Sequence, residues 1–367
     1  MTVLNVGGQL ETAPCLAEGP IAASGQGLVE SAAALGESAA ASVLRAWCVA
    51  HLFRQMESLF SSDTEPVGAI SRLLETTSEI LRKVSASAFT ELGPQVAPNQ
   101  TEPEGLRTVE AVTGDHYGGL FRNFSAASFW DEALALLRTR LERNDVDLDA
   151  VQGRSLLDAG CGGGRYTAAW RALGATPAMG VDISEANVAD ANRRVREAGL
   201  TDIRYEVVDV LRLPFKDESF DIVFSNGVLH HTRDWKKGIA ELVRLLKTGG
   251  LGWLYMIEQP GGLFWDVVEI LRVVMHKENR KKARSALEAL GLPGNRIFYT
   301  LDHVMAPINI RVSPGEIEYR LRQAGACKIV RLTRGADFDR IERIYRGDPF
   351  ARVKYGVGEN RYLFSKA

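Results

Sequence analysis

The feature that most constrains the fold of this chain is a glycine-rich turn that follows a short apolar run. Residues 155–165 read Ser-Leu-Leu-Asp-Ala-Gly-Cys-Gly-Gly-Gly-Arg, so Asp158 ends the apolar run and Gly160, Gly162 and Gly164 follow it. Glycine permits tight backbone angles and lets a ligand lie directly against the main chain. In nucleotide-binding α/β folds, such a turn lies at the carboxyl edge of a parallel sheet, where ligands bind.

The chain around this turn alternates between apolar strands and amphipathic helices, a pattern typical of a parallel sheet with helices on both faces. The predicted strands are 154–159, 178–182, 203–208, 220–225, 250–257, 327–333 and 360–366, and the predicted helices between them include 185–198, 235–247 and 314–325. This order predicts an α/β fold with a doubly wound, seven-stranded sheet whose last pair of strands is antiparallel.

The spacing of the glycines distinguishes two classes of nucleotide cofactor. A dinucleotide-binding turn reads G-x-G-x-x-G, whereas this turn reads G-x-G-x-G and has Arg165 in place of the last glycine. Asp182 ends the second predicted strand, 24 residues after Asp158. An acid at that position can accept hydrogen bonds from both ribose hydroxyls. The spacing therefore disfavours an NAD(P)-dependent oxidoreductase but is compatible with another nucleoside cofactor.

Further motifs follow in a fixed order. They comprise 158–164, 180–184, 208–215, 220–231 and 247–250. Together they resemble the motifs of class I S-adenosylmethionine (SAM)-dependent methyltransferases, most closely the small-molecule branch typified by the ubiquinone and menaquinone biosynthesis enzymes. The resemblance covers about residues 115–367 and leaves 1–114 outside it. It implies a Rossmann-like fold, SAM as cofactor, and methyl transfer to a small-molecule acceptor in biosynthesis.

The resemblance also implies which residues hold the cofactor. Asp158 and the turn glycines would face the methionine end of SAM, and Asp182 its ribose. Asp209 would receive the adenine amino group, and the backbone N–H of Val210 would meet the ring. The full set of candidate cofactor-binding residues is Tyr117, Asp158, Gly160, Gly162, Gly164, Asp182, Ile183, Asp209, Val210 and Asn226. Tyr117 belongs to a segment that related enzymes use as a lid, and a plain packing role is its alternative.

His231, just beyond the fourth predicted strand with His230 beside it, is the candidate catalytic base. Methyl transfer is an in-line displacement, in which alignment and exclusion of water supply much of the rate. A protein base is needed only where the acceptor must lose a proton, and an imidazole accepts one near neutral pH. A role in shaping the loop is the alternative for both histidines. No acids stand at metal-ligand spacing, so no metal site is predicted.

An insertion at 260–312 is too long for a simple crossover after the fifth predicted strand. We expect it to roof the acceptor pocket as a lid, because it combines apolar stretches with a small polar set. The candidate acceptor-binding residues are Glu258, Trp265, Tyr299, Asp302, His303 and Arg311. For Glu258, at the end of the fifth predicted strand, a helix-capping or surface role is equally compatible with the sequence.

Residues 1–114 are predicted to form an N-terminal helical extension before the methyltransferase-like domain at 115–367. The first 25 or so residues are rich in Gly, Ala and Ser, as in a flexible leader. Helical periodicity begins at about Ser38, and a second helix begins at 62–66, capped by Asp or Thr with Pro in its first turn. Their apolar stripes must be buried against the main domain or in a homodimer. Residues 93–106 predict a linker.

Composition limits the other functions open to the chain. The formal net charge of −2 provides no basic field for nucleic acid. Four cysteines without C-x-x-C spacing, no signal peptide and no membrane-spanning stretch predict a cytoplasmic protein. A methyltransferase acting on a peptide or nucleic acid is disfavoured, because residues 226–229 read Asn-Gly-Val-Leu rather than an Asn-Pro-Pro-Tyr-type motif. A non-catalytic SAM-binding protein remains an alternative.

Overall fold

The computed structural model describes residues 3–6, 9–12, 19–87, 109–120 and 127–367. The chain divides into two compact units, each assembled from three separate segments. Unit 1 consists of Met1–Leu106, Gly261–Ala306 and Asp348–Gly356. Unit 2 consists of Arg107–Pro260, Pro307–Gly347 and Val357–Ala367.

The secondary structure of the described residues comprises nine β-strands and fourteen α-helices. The strands are β1 Val3–Val6, β2 Gln9–Thr12, β3 Leu156–Ala159, β4 Ala178–Asp182, β5 Ile203–Val207, β6 Phe220–Asn226, β7 Leu246–Met256, β8 Ala326–Arg331 and β9 Asn360–Lys366. The helices are α1 Ala22–Ala33, α2 Ala39–Phe60, α3 Pro66–Ser85, α4 Val109–Leu120, α5 Ala133–Glu142, α6 Arg165–Ala172, α7 Glu185–Glu197, α8 Trp235–Leu245, α9 Gly262–Met275, α10 Arg280–Ala289, α11 Gly294–Met305, α12 Pro314–Gln323, α13 Arg340–Tyr345 and α14 Ala351–Tyr355.

Unit 2 is built around a mixed sheet, to which the described residues contribute seven strands in the order β5-β4-β3-β6-β7-β9-β8. Strands β3 to β7 pair in parallel, and β9 is antiparallel to both β7 and β8. The strand order reverses between β3 and β6, which is where open α/β sheets bind ligands. The predicted doubly wound, seven-stranded sheet is confirmed.

The sheet is buried on both faces, as the continuous apolar runs of its central strands require. Alternate residues of a strand point to opposite faces. Leu156 and Phe224 accordingly belong to one apolar cluster, together with Trp170 and Trp253. Leu157, Val223, Leu254 and Met256 belong to a second cluster, which also contains Tyr362 and Phe364. The two clusters fix the strands, and therefore fix the carboxyl edge where β3 to β7 end.

Unit 1 is mainly helical and combines the N-terminal helices with the insertion. Helix α1 packs on α3 and α9, and α2 packs on α3, α9 and α10. Leu28, Leu52 and Leu74, one from each N-terminal helix, are completely buried. Arg45 on α2 forms an ion pair with Glu278 at 2.6 Å. The apolar stripes of the N-terminal helices are therefore covered by other helices of the same chain.

Several local features differ from the sequence-based expectations. Helix α1 begins at Ala22, inside the stretch whose composition predicts a leader. The cap of α3 is Glu65, whose carboxylate accepts hydrogen bonds from the N–H groups of Val67 and Gly68, and not Asp63 or Thr64. The boundary between the units falls after Leu106 rather than after residue 114, which places α4 in unit 2. The predicted linker at 93–106 lies outside the described residues.

No helix in the part of the chain that the structure describes has both the length and the hydropathy that a bilayer span requires.

Candidate active site

The β3–α6 turn forms a narrow cradle of main chain at the carboxyl edge of the sheet. The N–H groups of Gly160 and Cys161 both donate to the carbonyl of Val181, at 2.8 and 2.9 Å, which ties the turn to β4. Gly160, Gly162 and Gly164 have φ values of +84°, +53° and +87°, in the left-handed region that favours glycine. A Cβ atom at Gly160 would lie 2.3 Å from Val228 Cγ1. Val228 therefore excludes a side chain at Gly160, and the ring of Tyr205, 2.6 Å from an added Cβ, excludes one at Gly164.

Two acids flank this cradle, and burial raises the pKa of each. Asp158 is 1% exposed, and burial raises its pKa to about 7, although a hydrogen bond from Thr167 Oγ1 at 2.7 Å opposes the shift and the charge of Asp182 adds to it. Burial also raises the pKa of Asp182, against hydrogen bonds from the N–H groups of Ser184 and Gly162, each 2.9 Å long. A cation bound beside these carboxylates would stabilise their charged forms.

Residues at the ends of β5 and β6 extend this edge. Asp209 Oδ1 accepts from the N–H of Leu211 at 2.8 Å, and Arg233 Nη2 lies 3.6 Å from the other oxygen. Asn226 Oδ1 accepts from Trp253 Nε1 at 3.2 Å. Because β3, β4, β5 and β6 are parallel neighbours, the structure brings the ends of these four strands to one edge. The candidate cofactor-binding residues from Asp158 to Asn226 lie at or just beyond those ends.

His230 and His231 lie just beyond β6 and are 2% and 8% exposed. His231 Nδ1 lies 2.7 Å from the carbonyl oxygen of Ile308, and His230 Nδ1 lies 3.3 Å from the N–H of Ile257. A carbonyl can only accept, so Nδ1 of His231 carries a proton and the neutral ring has its lone pair on Nε2. The ring of Tyr117, on α4, lies 5.3 Å from that of His231.

Glu258, two residues beyond β7, is neither a surface acid nor a helix cap. It is completely buried, and Arg340 Nε donates to its Oε1 at 2.8 Å. The backbone of Glu258 pairs with that of Val312, at the end of the segment that returns from the insertion. Its charge is therefore balanced inside unit 2 by an arginine 82 residues further along the chain.

The structure divides the remaining acceptor-binding candidates between the units, with Arg311 in unit 2 and the others in unit 1. In unit 1, the ring of His303 stacks on Trp265 with centroids 5.4 Å apart and lies 4.3 Å from the ring of Tyr299. His303 Nδ1 donates to the carbonyl of Tyr299 at 2.8 Å, and Asp302 Oδ2 lies 3.9 Å from the same nitrogen. Four candidates thus lie close together on α9 and α11.

Two residues of unit 1 that the sequence did not indicate contribute to this cluster. The ring of Phe53, on α2, lies 5.5 Å from that of Tyr299 and 6.1 Å from that of His303. Arg272, 5% exposed, donates to the carbonyls of His303 and Ala306 at the end of α11. Neither residue belongs to a motif, and Phe53 is 250 residues from His303 in sequence.

A known family matches the glycine turn and the parallel part of the sheet. Residues 157–254 match the family described as "Methyltransferase domain". This segment is similar to methyltransferase domains.

Curated relatives match part of the chain. The 27-O-demethylrifamycin SV methyltransferase of Amycolatopsis mediterranei is 34% identical over 153 residues, covering 40% of this chain and 56% of that protein. The ubiquinone biosynthesis O-methyltransferase of Methylococcus capsulatus is 32% identical and covers 38% of this chain and 61% of that protein. The 24-methylenesterol C-methyltransferase 2 of Oryza sativa subsp. japonica is 40% identical and covers 31% of this chain and 32% of that protein. The chain thus spans less than two thirds of the length of each of these relatives.

The residues at this edge fit SAM, the cofactor that the sequence motifs imply. SAM carries an ammonium and a sulfonium charge, which suit the desolvated carboxylates of Asp158 and Asp182. A carboxylate offers about four lone-pair positions, so Asp182 retains acceptor capacity beyond its two backbone donors. The β3–α6 turn follows β3 at the carboxyl edge of the sheet, where open α/β folds bind ligands. Among the described residues, no group of three or more His, Cys, Asp or Glu side chains has the arrangement of a metal site.

Proposed function

We propose that this protein transfers the methyl group of SAM to a small-molecule acceptor that loses a proton, as a step of a biosynthetic pathway. The observation that supports it most is the convergence of the glycine turn, the two desolvated acids and His231 on the edge formed by β3 to β6. The names of the matched relatives include O- and C-methyltransferases of small molecules.

Each cofactor residue has a proposed role. Asp158 and the backbone of the β3–α6 turn would hold the methionine end of SAM, and Asp182 would accept from its ribose hydroxyls. Ile183 would contact the adenosyl group beside Asp182. Asp209 and the N–H of Val210 would recognise adenine. Tyr117 and Asn226 would form further walls of the SAM site. When bound, SAM supplies an already activated methyl group, so the protein has to orient the acceptor and exclude water.

His231 is the proposed general base. The carbonyl of Ile308 fixes its tautomer, so Nε2 is the nitrogen that accepts a proton from the acceptor. Ile308 belongs to the segment that returns from the insertion, and the N–H of Ile310 donates to the carbonyl of His230 at 2.9 Å. The loop carrying both histidines is therefore held by residues 307–312. Glu258 is already neutralised by Arg340, so we propose a positioning role for it and not proton transfer.

The insertion at 260–312 is proposed to govern acceptor choice. Within unit 1, Trp265, Tyr299, Asp302 and His303 combine apolar rings with hydrogen-bonding groups, as small-molecule sites do. Arg311 follows Ile310 on the segment held against His230. A macromolecular acceptor has no support in the net charge of −2. Most of the apolar residues of the N-terminal helices are buried within unit 1, so we do not propose a homodimer through them.

The test is production of S-adenosylhomocysteine from SAM with panels of hydroxyl, amine and acidic-carbon acceptors. We expect turnover that requires a small acceptor and is lost with peptide or nucleic acid alone. His231→Asn is the informative variant, because the amide can still donate to the carbonyl of Ile308 but cannot act as a base. It should lower kcat roughly 100-fold and remove the acidic limb of the pH profile, with little change in SAM affinity. Full activity of this variant would contradict the proposed base.

A further inference from the structure

Helix α4 meets the turn between β4 and α7 through two glycines. Gly114 and Gly118 stand one helical turn apart, and both are buried. A Cβ atom at Gly114 would lie in ordinary contact, 3.7 Å from Ile183 Cγ2 and from Ser184 Cα. A Cβ atom at Gly118 would lie 2.7 Å from Ser184 Oγ and 3.4 Å from Ala186 Cβ. The main chain of α4 therefore lies directly against the residues that follow Asp182.

The same helix reaches the other side of the cofactor edge through the residue next to Gly118. The ring of Tyr117 lies 5.3 Å from the ring of His231, which follows β6. Helix α4 thus contacts both the β4–α7 turn, next to the proposed ribose acceptor Asp182, and the loop of the proposed base. Between these two contacts lie β3, which pairs with both β4 and β6, and the glycine turn that follows it.

We propose that Gly118 is a positioning residue, whose close contact with Ser184 sets how near α4 comes to the cofactor edge and thereby places Tyr117 beside His231. The inference rests on the proposed function, because it takes the β4–α7 turn as part of the SAM site. The ligand whose retention depends on this contact is the adenosyl part of SAM. A side chain at position 118 would require either α4 or the Ser184 hydroxyl to shift, and we infer that α4 shifts, because that hydroxyl is the N-cap of α7.

Helix propensity supports this reading of the two glycines. A glycine inside a helix destabilises it by about 1 kcal/mol relative to alanine. Helix α4 carries that cost at both Gly114 and Gly118, where its backbone is closest to Ile183 and Ser184. The close contact supplies a physical reason for glycine at position 118. It also makes the test clean, because Gly118→Ala strengthens the helix itself while blocking the contact.

The first measurement is the rate of SAM dissociation in the absence of acceptor. Gly118→Ala should release SAM roughly tenfold faster than the unmodified protein, because overpacking at the contact displaces α4. Gly114→Ala, with its ordinary contact distances, should have a clearly smaller effect. Gly27→Ala is the matched control, since this helical glycine of α1 has no atom within 4 Å of an added Cβ. It should leave the rate unchanged.

A second substitution separates the contact from a general defect. Ser184→Gly removes the obstructing oxygen, and glycine at a helix N-cap costs only a few tenths of a kcal/mol. We expect Gly118→Ala/Ser184→Gly to release SAM at the rate of Ser184→Gly alone. Two results would overturn the proposal: wild-type dissociation from Gly118→Ala, or a double variant that loses SAM as fast as Gly118→Ala.

The experiment can be interpreted even if Gly118→Ala does not fold. If Gly118→Ala does not fold, a folded double variant that binds SAM still supports the contact, and an unfolded one overturns it. Because SAM dissociation is measured without acceptor, failure of this proposal is distinguishable from failure of the proposed methyl transfer. A folded enzyme that binds SAM through this contact but transfers no methyl group would refute only the latter.

Discussion

At the residue scale, the desolvated acids Asp158 and Asp182 at the sheet edge are suited to binding a cation. Asp158 accepts hydrogen bonds from the hydroxyl and the backbone N–H of Thr167, and it is buried. Burial therefore raises its pKa to about 7, so that Asp158 titrates near neutral pH. Asp182 shares this electrostatic environment, and the two charges penalise each other. A bound cation offsets both penalties, so cofactor binding and the ionisation of Asp158 are thermodynamically linked.

This linkage predicts a pH-dependent affinity for SAM. Below about pH 7 Asp158 is protonated, and a cationic cofactor has to displace that proton before it pairs with the carboxylate. The affinity should therefore fall as the pH falls through about 7, approaching tenfold per pH unit on the acid side. Calorimetry between about pH 6 and 8 should also detect proton release on binding. Asp158→Asn should bind more weakly and without this slope, and a Kd that is constant across the range in the unmodified protein would refute the linkage.

Asp182→Asn should weaken SAM binding roughly ten- to hundredfold, because it removes a charged acceptor of the ribose hydroxyls. The matched control is Asp202→Asn. Asp202 precedes β5 at the opposite edge of the sheet and pairs with Arg171 at 3.0 Å. That variant should keep the wild-type Kd. Equal affinities for the two variants, both folded by circular dichroism, would contradict the ribose assignment.

At the scale of elements, the sequence predicts the helices and strands that a local pattern of apolar and polar residues determines. The sequence alone shows the apolar runs of β3, β4 and β6. It also shows the acids at or just after strand ends, such as Asp182. Helix α4 is harder to recognise, because Gly114 and Gly118 lower helix propensity and packing against the β4–α7 turn compensates. The ion pair of Glu258 with Arg340 spans 82 residues, so neither residue indicates it alone. Contacts between distant segments cannot be predicted from such local patterns.

The cluster of α9 and α11 carries a prediction about the reaction. His303→Gln should raise the acceptor KM or lower kcat while the SAM Kd changes by less than about twofold, because a contact to the acceptor acts only on the step that uses it. His51→Gln is a matched control, since His51 also stacks on a tryptophan, Trp47, at 5.0 Å within unit 1. That control should leave acceptor kinetics unchanged. A His303→Gln variant with impaired SAM binding and normal acceptor kinetics would refute this division of labour.

At the scale of the whole molecule, the N-terminal helices and the insertion form one folding unit. Arg45 pairs with Glu278, and Lys354 donates to the carbonyls of Phe60 and Ser62 at the end of α2. Three segments that are far apart in sequence are thus joined by buried polar contacts as well as by apolar packing. The insertion is therefore expected to depend on residues 19–87 for its stability.

Deleting residues 1–87 should accordingly destabilise the insertion rather than simply remove an appendage. The apolar faces of α9 and α10 that α1 and α2 cover would be exposed, and the truncated protein should aggregate or melt at lower temperature. Light scattering after size exclusion and calorimetric unfolding measure both effects. A monodisperse truncated protein with an unchanged melting temperature and full activity would show that unit 1 does not need these helices.

The most direct test of the central claim follows the methyl group itself. The protein is incubated with SAM labelled in its methyl group and with an acceptor found active in the S-adenosylhomocysteine assay, and the products are analysed by mass spectrometry. We predict that the label appears in the acceptor in equal amount to the S-adenosylhomocysteine formed, and that His231→Asn slows both together. Tight binding of SAM with no labelled product from any acceptor would contradict methyl transfer and favour a non-catalytic SAM-binding protein.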